Sequence, residues 1–365
     1  MGRHETYMRI ALTEAAKATG KTRPNPMVGC VVVSNGEVAA KGYHERAGKA
    51  HAEQVALRRA GARAEGADVY VTLEPCNHHG RTPPCTDALI EAKVARVFVG
   101  MRDPNGLVDG RGIRRLRRAG IDVQMGVLRD ECTHLNEAFV HYIRENTPFV
   151  IAKLAQSIDG RVATKTGHSK WITGEKARKF GHQIRRAVDG IVVGVGTVLA
   201  DDPELTCRVR GGSDPIRIIL DSKARTPVDA KVIRIAESSK APTWVVVGEK
   251  VTKKKVEALQ RAGAEVIRMP LVAGRVELEV LMAELGKREL LSILVEGGPT
   301  LMGSFFDAGL VHKVHALVAP MVIGGEQARS SVEGAGIDEL KEACRLQRLE
   351  LDQLGPDVLL TGYTR

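Results

Sequence analysis

His51-Ala52-Glu53, followed by Glu74-Pro75-Cys76-Asn77-His78-His79-Gly80-Arg81-Thr82-Pro83-Pro84-Cys85, is the stretch on which the reading of this chain turns. One imidazole and two thiolates are donors that Zn²⁺, a borderline-soft ion, takes well. Three protein ligands, His51, Cys76 and Cys85, leave a fourth tetrahedral position open, which marks a catalytic rather than a structural site. Water at such a position becomes a nucleophile near neutral pH. Glu53 stands two residues after the histidine. From the start of a helix it would face that water without being a ligand. A bland alternative has His51 capping a helix and the cysteines as buried thiols or a disulfide. The order His-x-Glu, Pro-Cys, Cys, with strand ends where it needs them, favours one metal ion per chain.

Working outward, the pattern alternates strands and helices. A helix is expected over 5–19 and a strand over 27–34. Asn35-Gly36 is a hairpin signal, returning through 37–43. A helix opens at His51 and runs to about Ala60. The strand 68–73 delivers Glu74-Pro75-Cys76 to its end, and Cys85 starts the next helix. Further elements are expected at 96–100, 112–119 and 121–126, with one helix over 129–144. Such alternation implies a sheet with helices on its faces. Both metal-binding segments then lie at strand-to-helix junctions, where α/β folds place ligands. Glu145-Asn146-Thr147-Pro148 reads as a domain boundary, giving domains 1–146 and 147–365. The second half is again α/β. Strands are expected at 149–156, 191–194, 216–221, 243–247, 265–268, 292–295, 312–319 and 358–363, with helices at 175–187, 197–200, 253–262 and 277–285.

Composition bounds the function. The chain has 365 residues, enough for two cores, and 43% hydrophobic with 27% charged residues is a globular balance. It shows no run of 18 apolar residues and no apolar signal segment at the N-terminus. Six dispersed cysteines fit a reducing compartment, so a cytoplasmic enzyme is expected. The net charge of +10 raises nucleic acid as a partner, but the basic residues are spread out and aromatics are 4%. Small phosphorylated ligands use the same balance.

His-x-Glu followed by Pro-Cys-x-x-Cys is the zinc deaminase signature, in which the glutamate hands a proton to the leaving amine. Here eight residues, not two, separate Cys76 from Cys85. That longer insert, PCNHHGRTPPC, resembles the deaminase half of the bifunctional riboflavin-biosynthesis deaminase/reductases. The resemblance extends to Pro24-Asn25-Pro26-Met27-Val28-Gly29-Cys30, to Gly42-Tyr43-His44, and to Lys153-Leu154-Ala155-Gln156-Ser157-Ile158-Asp159-Gly160, Ser169 through Thr173, Gly194 through Pro203 and Val295 through Leu301. It covers nearly all of the chain; the family more often has Ser where Asn77 stands.

The resemblance implies a cytidine-deaminase-like α/β/α domain followed by a dihydrofolate-reductase-like α/β domain that uses NADPH. It implies hydrolytic deamination of 2,5-diamino-6-ribosylamino-4(3H)-pyrimidinone 5′-phosphate, then reduction of the ribosyl to the ribityl side chain. Glu53 would move protons, Asn25 and His44 would contact the pyrimidine, and Arg81 would meet the phosphate. In the second domain Ser169, Arg185, Leu205, Arg208 and Glu296 would hold substrate. Ala155, Trp171, Thr197, Asp201, Ser222 and Gly298, Pro299, Thr300, Leu301, Met302, Gly303 and Ser304 would line the cofactor. The expected partner is the small phosphorylated pyrimidine, without nucleic acid or membrane, in a homo-oligomer.

The residues of the second half say less by themselves. Gly194-Val195-Gly196-Thr197-Val198-Leu199 is not a dinucleotide fingerprint, because Leu199 holds the third glycine position. Glu296-Gly297-Gly298-Pro299 follows a strand and opens a helix, so it is either an anion cradle or a glycine turn. Trp171 reads as core, and Arg185 and Arg208 as solvated surface. Lys153 interrupts an apolar strand, so it either reaches the surface or sits in a site with a partner; Glu296 is the candidate partner, and the pair would polarise the sugar. Three other readings stay open: a nucleoside or tRNA deaminase with an unrelated second domain, a zinc-stabilised nucleic-acid-binding protein, and a member with one active half. A reductase-like second half speaks against the first, and Glu53 against the second.

Overall fold

A computed structural model describes residues 2–78, 83–106 and 108–364. Arg81 therefore lies outside the described residues. Two compact units divide the chain, Met1–Asn146 and Thr147–Arg365. No helix among the described residues is long and apolar enough to cross a membrane.

The first unit runs α1 (Arg3–Ala16), β1 (Gly29–Ser34), β2 (Glu37–Tyr43), α2 (Ala52–Ala60), β3 (Asp68–Leu73), α3 (Cys85–Glu91), β4 (Arg96–Met101), α4 (Arg111–Arg118), β5 (Asp122–Met125), α5 (Arg129–Leu135) and α6 (Glu137–Glu145). The sheet order is β2-β1-β3-β4-β5. β1 is antiparallel to both β2 and β3, and β3, β4 and β5 are parallel. The central strands β1, β3 and β4 are buried almost throughout because both faces are covered. Cys30, Val32, Val69, Val71, Val97 and Val99 pack with Ala56, Leu57, Leu89 and Leu116 of α2, α3 and α4. Their neighbours Val31, Val33, Tyr70 and Phe98 point to the other face, against Met8 and Ala11 of α1 and Cys132 of α5.

One expected element is corrected. The helix read over 129–144 is two helices, broken at Asn136. The Asn136 amide pairs with the backbone of Met27 instead: Met27 N–H donates to Oδ1 at 2.8 Å, and Nδ2 donates to the Met27 carbonyl at 2.9 Å. That double bond fixes the segment leading into β1.

The second unit contains β6 (Phe149–Ser157), α7 (Glu175–Ala187), β7 (Gly190–Gly194), α8 (Val195–Asp201), β8 (Ile216–Leu220), α9 (Lys231–Arg234), β9 (Thr243–Gly248), α10 (Lys253–Arg261), β10 (Glu265–Met269), the small hairpin β11 (Leu271–Val272) and β12 (Arg275–Val276), α11 (Leu278–Lys287), β13 (Ser292–Val295), α12 (Pro299–Asp307), β14 (Lys313–Ala319), β15 (Gln347–Leu354) and β16 (Asp357–Tyr363). Nine strands form one sheet in the order β10-β9-β8-β7-β13-β6-β14-β16-β15. The strands from β10 to β14 in that order are parallel, and β16 and β15 close the edge antiparallel. Two cores flank it. Val150, Val192, Ile218, Ile293 and Val295 face Leu281, Leu285, Met302 and Phe305 of α11 and α12. Ile191, Val193, Ile219, Val245 and Leu294 face Ile184, Val198, Val232 and Leu259 of α7, α8, α9 and α10.

Candidate metal centre and a second cavity

His51 is the N-cap of α2, and Cys85 is the first residue of α3. Cys76 follows the end of β3. The ligand atoms of these three residues lie within 4.8 Å of one another. His51 Nδ1 is 3.2 Å from Cys85 Sγ and 3.5 Å from Cys76 Sγ. Ligand atoms on a tetrahedral zinc, with Zn–S about 2.3 Å and Zn–N about 2.0–2.1 Å, stand roughly 3.6–3.8 Å apart. The donor set therefore fits zinc in chemistry and in size. A hydrogen bond from the Cys85 thiol, helped by His51, pulls Cys76 down to about 4, which leaves it a thiolate.

Glu53, in the first turn of α2, is buried beside these donors. Burial pushes its carboxyl above the usual range, and the charge of Cys76 adds to the rise. It also shares a hydrogen bond with Cys85. His44 and Asn25 meet next to His51, where the His44 and His51 rings are 5.4 Å apart, edge to face. His44 Nδ1 is 3.2 Å from the Ala50 carbonyl, and Nε2 is 3.0 Å from Asn25 Nδ2. One neutral tautomer satisfies both contacts, with Nδ1–H donating to the carbonyl and Nε2 accepting from the amide. Burial, which lowers the pKa of His44, favours that neutral form.

Glu74, which the sequence reading left without a role, anchors the cysteine segment. Its buried carboxylate accepts N–H bonds from Gly110 at 3.0 Å, Gly112 at 3.1 Å and Ile113 at 3.3 Å, so it caps α4 from outside the helix. The approach is so close that a Cβ on Gly112 would stand 2.1 Å from the Pro75 carbonyl oxygen. Asn77 Oδ1 accepts from Thr86 Oγ1 at 3.0 Å and from Arg115 at 3.1 Å, which ties the residue after Cys76 to α3 and α4. The sequence signal for Glu74 was a carboxylate at a strand end, but its partners are more than 35 positions away.

In the second unit a cavity of about 530 Å³ lies at the carboxyl ends of β6, β7 and β13. Lys153, Ala155, Ser169, Thr197, Asp201, Glu296 and residues 297–302 line it, together with Arg329 and Ser331. A second lobe of about 330 Å³ shares Lys153, Ala155, Ser169, Asp201 and Glu296, and adds Trp171, His182 and Arg185. The volumes suit a cofactor and a small substrate. Gly298 N–H donates to Thr197 Oγ1 at 3.1 Å, which joins the starts of α8 and α12.

Lys153 Nζ lies 2.8 Å from Glu296 Oε1. Arg185 makes a fork to the same carboxylate, at 2.7 and 2.9 Å. Burial alone would raise the Glu296 carboxyl, but the two cations outweigh it and hold it at about 2. Arg185 also donates to the Thr206 carbonyl at 3.1 Å. Its guanidinium thus gives three of its five N–H groups to Glu296 and the Thr206 carbonyl. Trp171, read from sequence as core, is exposed beside the second lobe with the Arg178 guanidinium 4.6 Å over its ring.

Five residues expected here lie outside both lobes. Leu205 is buried in the core beneath α7 and α8. Arg208 pairs with Glu204 at 3.2 Å on the surface. Ser222 follows β8, its carbonyl accepting from Gly248 N–H at 3.2 Å. Gly303 is a packing glycine, since a Cβ there would fall 1.3 Å from the Glu333 carbonyl oxygen. Ser304 Oγ bonds back to the Thr300 carbonyl at 3.0 Å. Arg329 and Ser331, by contrast, line the cavity without having been singled out.

Residues 1–101 match the cytidine and deoxycytidylate deaminase zinc-binding region, and residues 148–360 match the RibD C-terminal domain. The chain is 44% identical over 354 residues to riboflavin biosynthesis protein RibD of Actinobacillus pleuropneumoniae, covering 97% of this chain and 93% of that one. It is similar in structure to Acinetobacter baumannii RibD, with a TM-score of 0.88 at 36% identity over 99% of this chain and 98% of the other. A similar likeness, a TM-score of 0.87 at 33% identity over 99% and 98% of the two chains, joins it to a diaminohydroxyphosphoribosylaminopyrimidine deaminase/5-amino-6-(5-phosphoribosylamino)uracil reductase of Thermotoga maritima.

Proposed function

The chain belongs to the RibD family of riboflavin biosynthesis, a zinc-dependent deaminase joined to an NADPH-using reductase, and from that premise we propose which residues carry each step. The substrate of the first unit is 2,5-diamino-6-ribosylamino-4(3H)-pyrimidinone 5′-phosphate. Bound zinc supplies Lewis acidity that makes water nucleophilic near neutral pH, and NADPH supplies hydride to the second unit. His51, Cys76 and Cys85 hold the metal. Glu53 takes the proton of the attacking water and delivers it to the amino group, which leaves as ammonia. Its raised pKa suits both halves of that transfer, because a group poised nearer the working pH can accept and return a proton. Neutral His44 fixes the Asn25 amide, whose carbonyl oxygen is left to accept from the pyrimidine. Arg81 contacts the ribose phosphate.

In the second unit Lys153, its ammonium held by Glu296, donates a hydrogen bond to the sugar oxygen at the carbon being reduced. Arg185 keeps Glu296 ionised and oriented. The residues of the larger lobe, from Thr197 to residues 298–302, receive the cofactor. The observation that carries this reading is the gathering of one imidazole, two thiols and a buried carboxyl at one point. Purified chain should release ammonia from the diaminopyrimidinone phosphate without NADPH, and oxidise NADPH only once deaminated product is present. Zinc-loaded protein that releases no ammonia would remove the assignment of the first unit.

A further inference from the structure

The cofactor residues expected from sequence contain no cation; the only charged one, Asp201, is an anion. NADPH is itself a polyanion, with a diphosphate bridge and a 2′-phosphate. Burying those charges in a cavity without a counter-charge is costly. The larger lobe offers two cations, Lys153 and Arg329. Lys153 is committed to Glu296, which it shares with Arg185, and Asp201 lies 3.9 Å from Lys170. Arg329 is an exposed residue of the lining, and its side chain makes no hydrogen bond or ion pair among the described residues.

Its backbone, however, is firmly held. Val162 N–H donates to the Arg329 carbonyl at 3.0 Å, and Ser331 N–H donates to Gly160 at 2.9 Å. Arg161 bridges to Ser330 and donates a side-chain bond to the Ala328 carbonyl at 2.8 Å. The Asp159 carboxylate accepts from Ile323 and Gly324 at 3.1 and 2.8 Å, which holds the preceding loop. On the other side, Glu333 N–H donates to the Pro299 carbonyl at 3.1 Å and Thr300 Oγ1 donates to the Glu333 carboxylate at 2.9 Å. The segment around Arg329 is thus fastened both to the loop after β6 and to the first turn of α12. Pro299, the first residue of α12, has no N–H, so Thr300 and Leu301 supply the first-turn N–H groups without an intrahelical acceptor, at the positive end of the helix dipole.

We propose that Arg329 is the counter-charge to the diphosphate bridge of NADPH, which lies between its guanidinium and the first turn of α12. The diphosphate is the anionic group of the dinucleotide nearest the reacting ring, and Arg329 shares its lobe with the Lys153–Glu296 pair. A guanidinium matches two phosphate oxygens at once. The inference rests on the assignment of the second unit as the NADPH-binding half.

The test is direct binding of NADPH and of NADH to the full chain, without pyrimidine, by titration calorimetry. In Arg329→Ala both dissociation constants should rise by the same factor, roughly ten- to a hundredfold. Arg329→Lys should recover part of the loss, and the salt dependence of binding should be shallower in the Ala variant. Unchanged affinity for both dinucleotides would overturn the proposal. So would a loss confined to NADPH, which would assign Arg329 to the 2′-phosphate. Thermal unfolding checks the fold, and Arg329→Gln, which keeps the stem, replaces Ala if that variant unfolds. A wild-type chain that binds no NADPH would overturn the assignment of the unit and the proposal with it.

Discussion

Glu53 and Glu74 are both buried carboxyls of the first unit, and their surroundings give them opposite work. Glu74 receives three backbone N–H bonds and holds a helix. Glu53 faces thiols and an imidazole, and burial raises its pKa. Glu53→Gln should therefore lose roughly two to four orders of magnitude in ammonia release while retaining zinc, as metal analysis would show; lost zinc with an intact fold would make Glu53 a ligand. Glu74→Ala strands three amides, at a cost of about 1–3 kcal/mol for each buried group left unpaired. It should lower the unfolding temperature and weaken zinc retention together. Glu296 supplies a pH dependence. Its folded pKa of about 2 lies below the ordinary 4.5, so the unfolded chain binds more protons between those values. Its stabilisation is complete above pH 4.5 and lost as pH falls toward 2. Glu296→Gln should cost on the order of 3 kcal/mol near neutral pH and flatten stability on the acid side. Acid unfolding curves with the same slope as wild type would contradict the ion-pair account.

At the scale of elements, what was legible in the sequence follows from local pattern. Asn35-Gly36 marked the β1–β2 hairpin, and the alternation of Cys30 and Val32 against Val31 and Val33 fits a strand buried on both faces. His51 and Cys85 were placed at helix starts because their neighbours set the period. What escaped depended on distant partners. The break at Asn136 is caused by Met27, 109 positions earlier. β15 escaped because Gln347–Leu354 is an exposed edge strand without a buried face to betray it. The site residues show the same division. Cys76 and Cys85 carry their chemistry in their type and spacing, whereas Glu74 and Arg329 acquire roles only when remote segments meet them. Leu205, Arg208, Ser222, Gly303 and Ser304 came from resemblance alone, and lie outside both lobes. Asn136→Ala should remove both bonds to Met27, destabilise by about 1–3 kcal/mol and speed amide exchange at the start of β1. Exchange unchanged there would mean that the clamp does not hold that segment.

At the scale of the molecule, each unit has its own sheet with a core on each face and its own candidate site. A chain ending at Asn146 should bind zinc and release ammonia, and one beginning at Thr147 should oxidise NADPH when given deaminated pyrimidine. Halves that are folded but inactive would contradict that independence. The central claim is that two chemistries act in sequence on one substrate through separate residues. It is tested most directly by full-length Glu53→Gln, given NADPH and the diaminopyrimidinone phosphate, with ammonia and NADPH followed separately. Neither should change at more than a small fraction of the wild-type rate, and adding the deaminated pyrimidine should restore NADPH oxidation to the wild-type rate. NADPH oxidation at the wild-type rate before that addition, or none after it, would contradict the account.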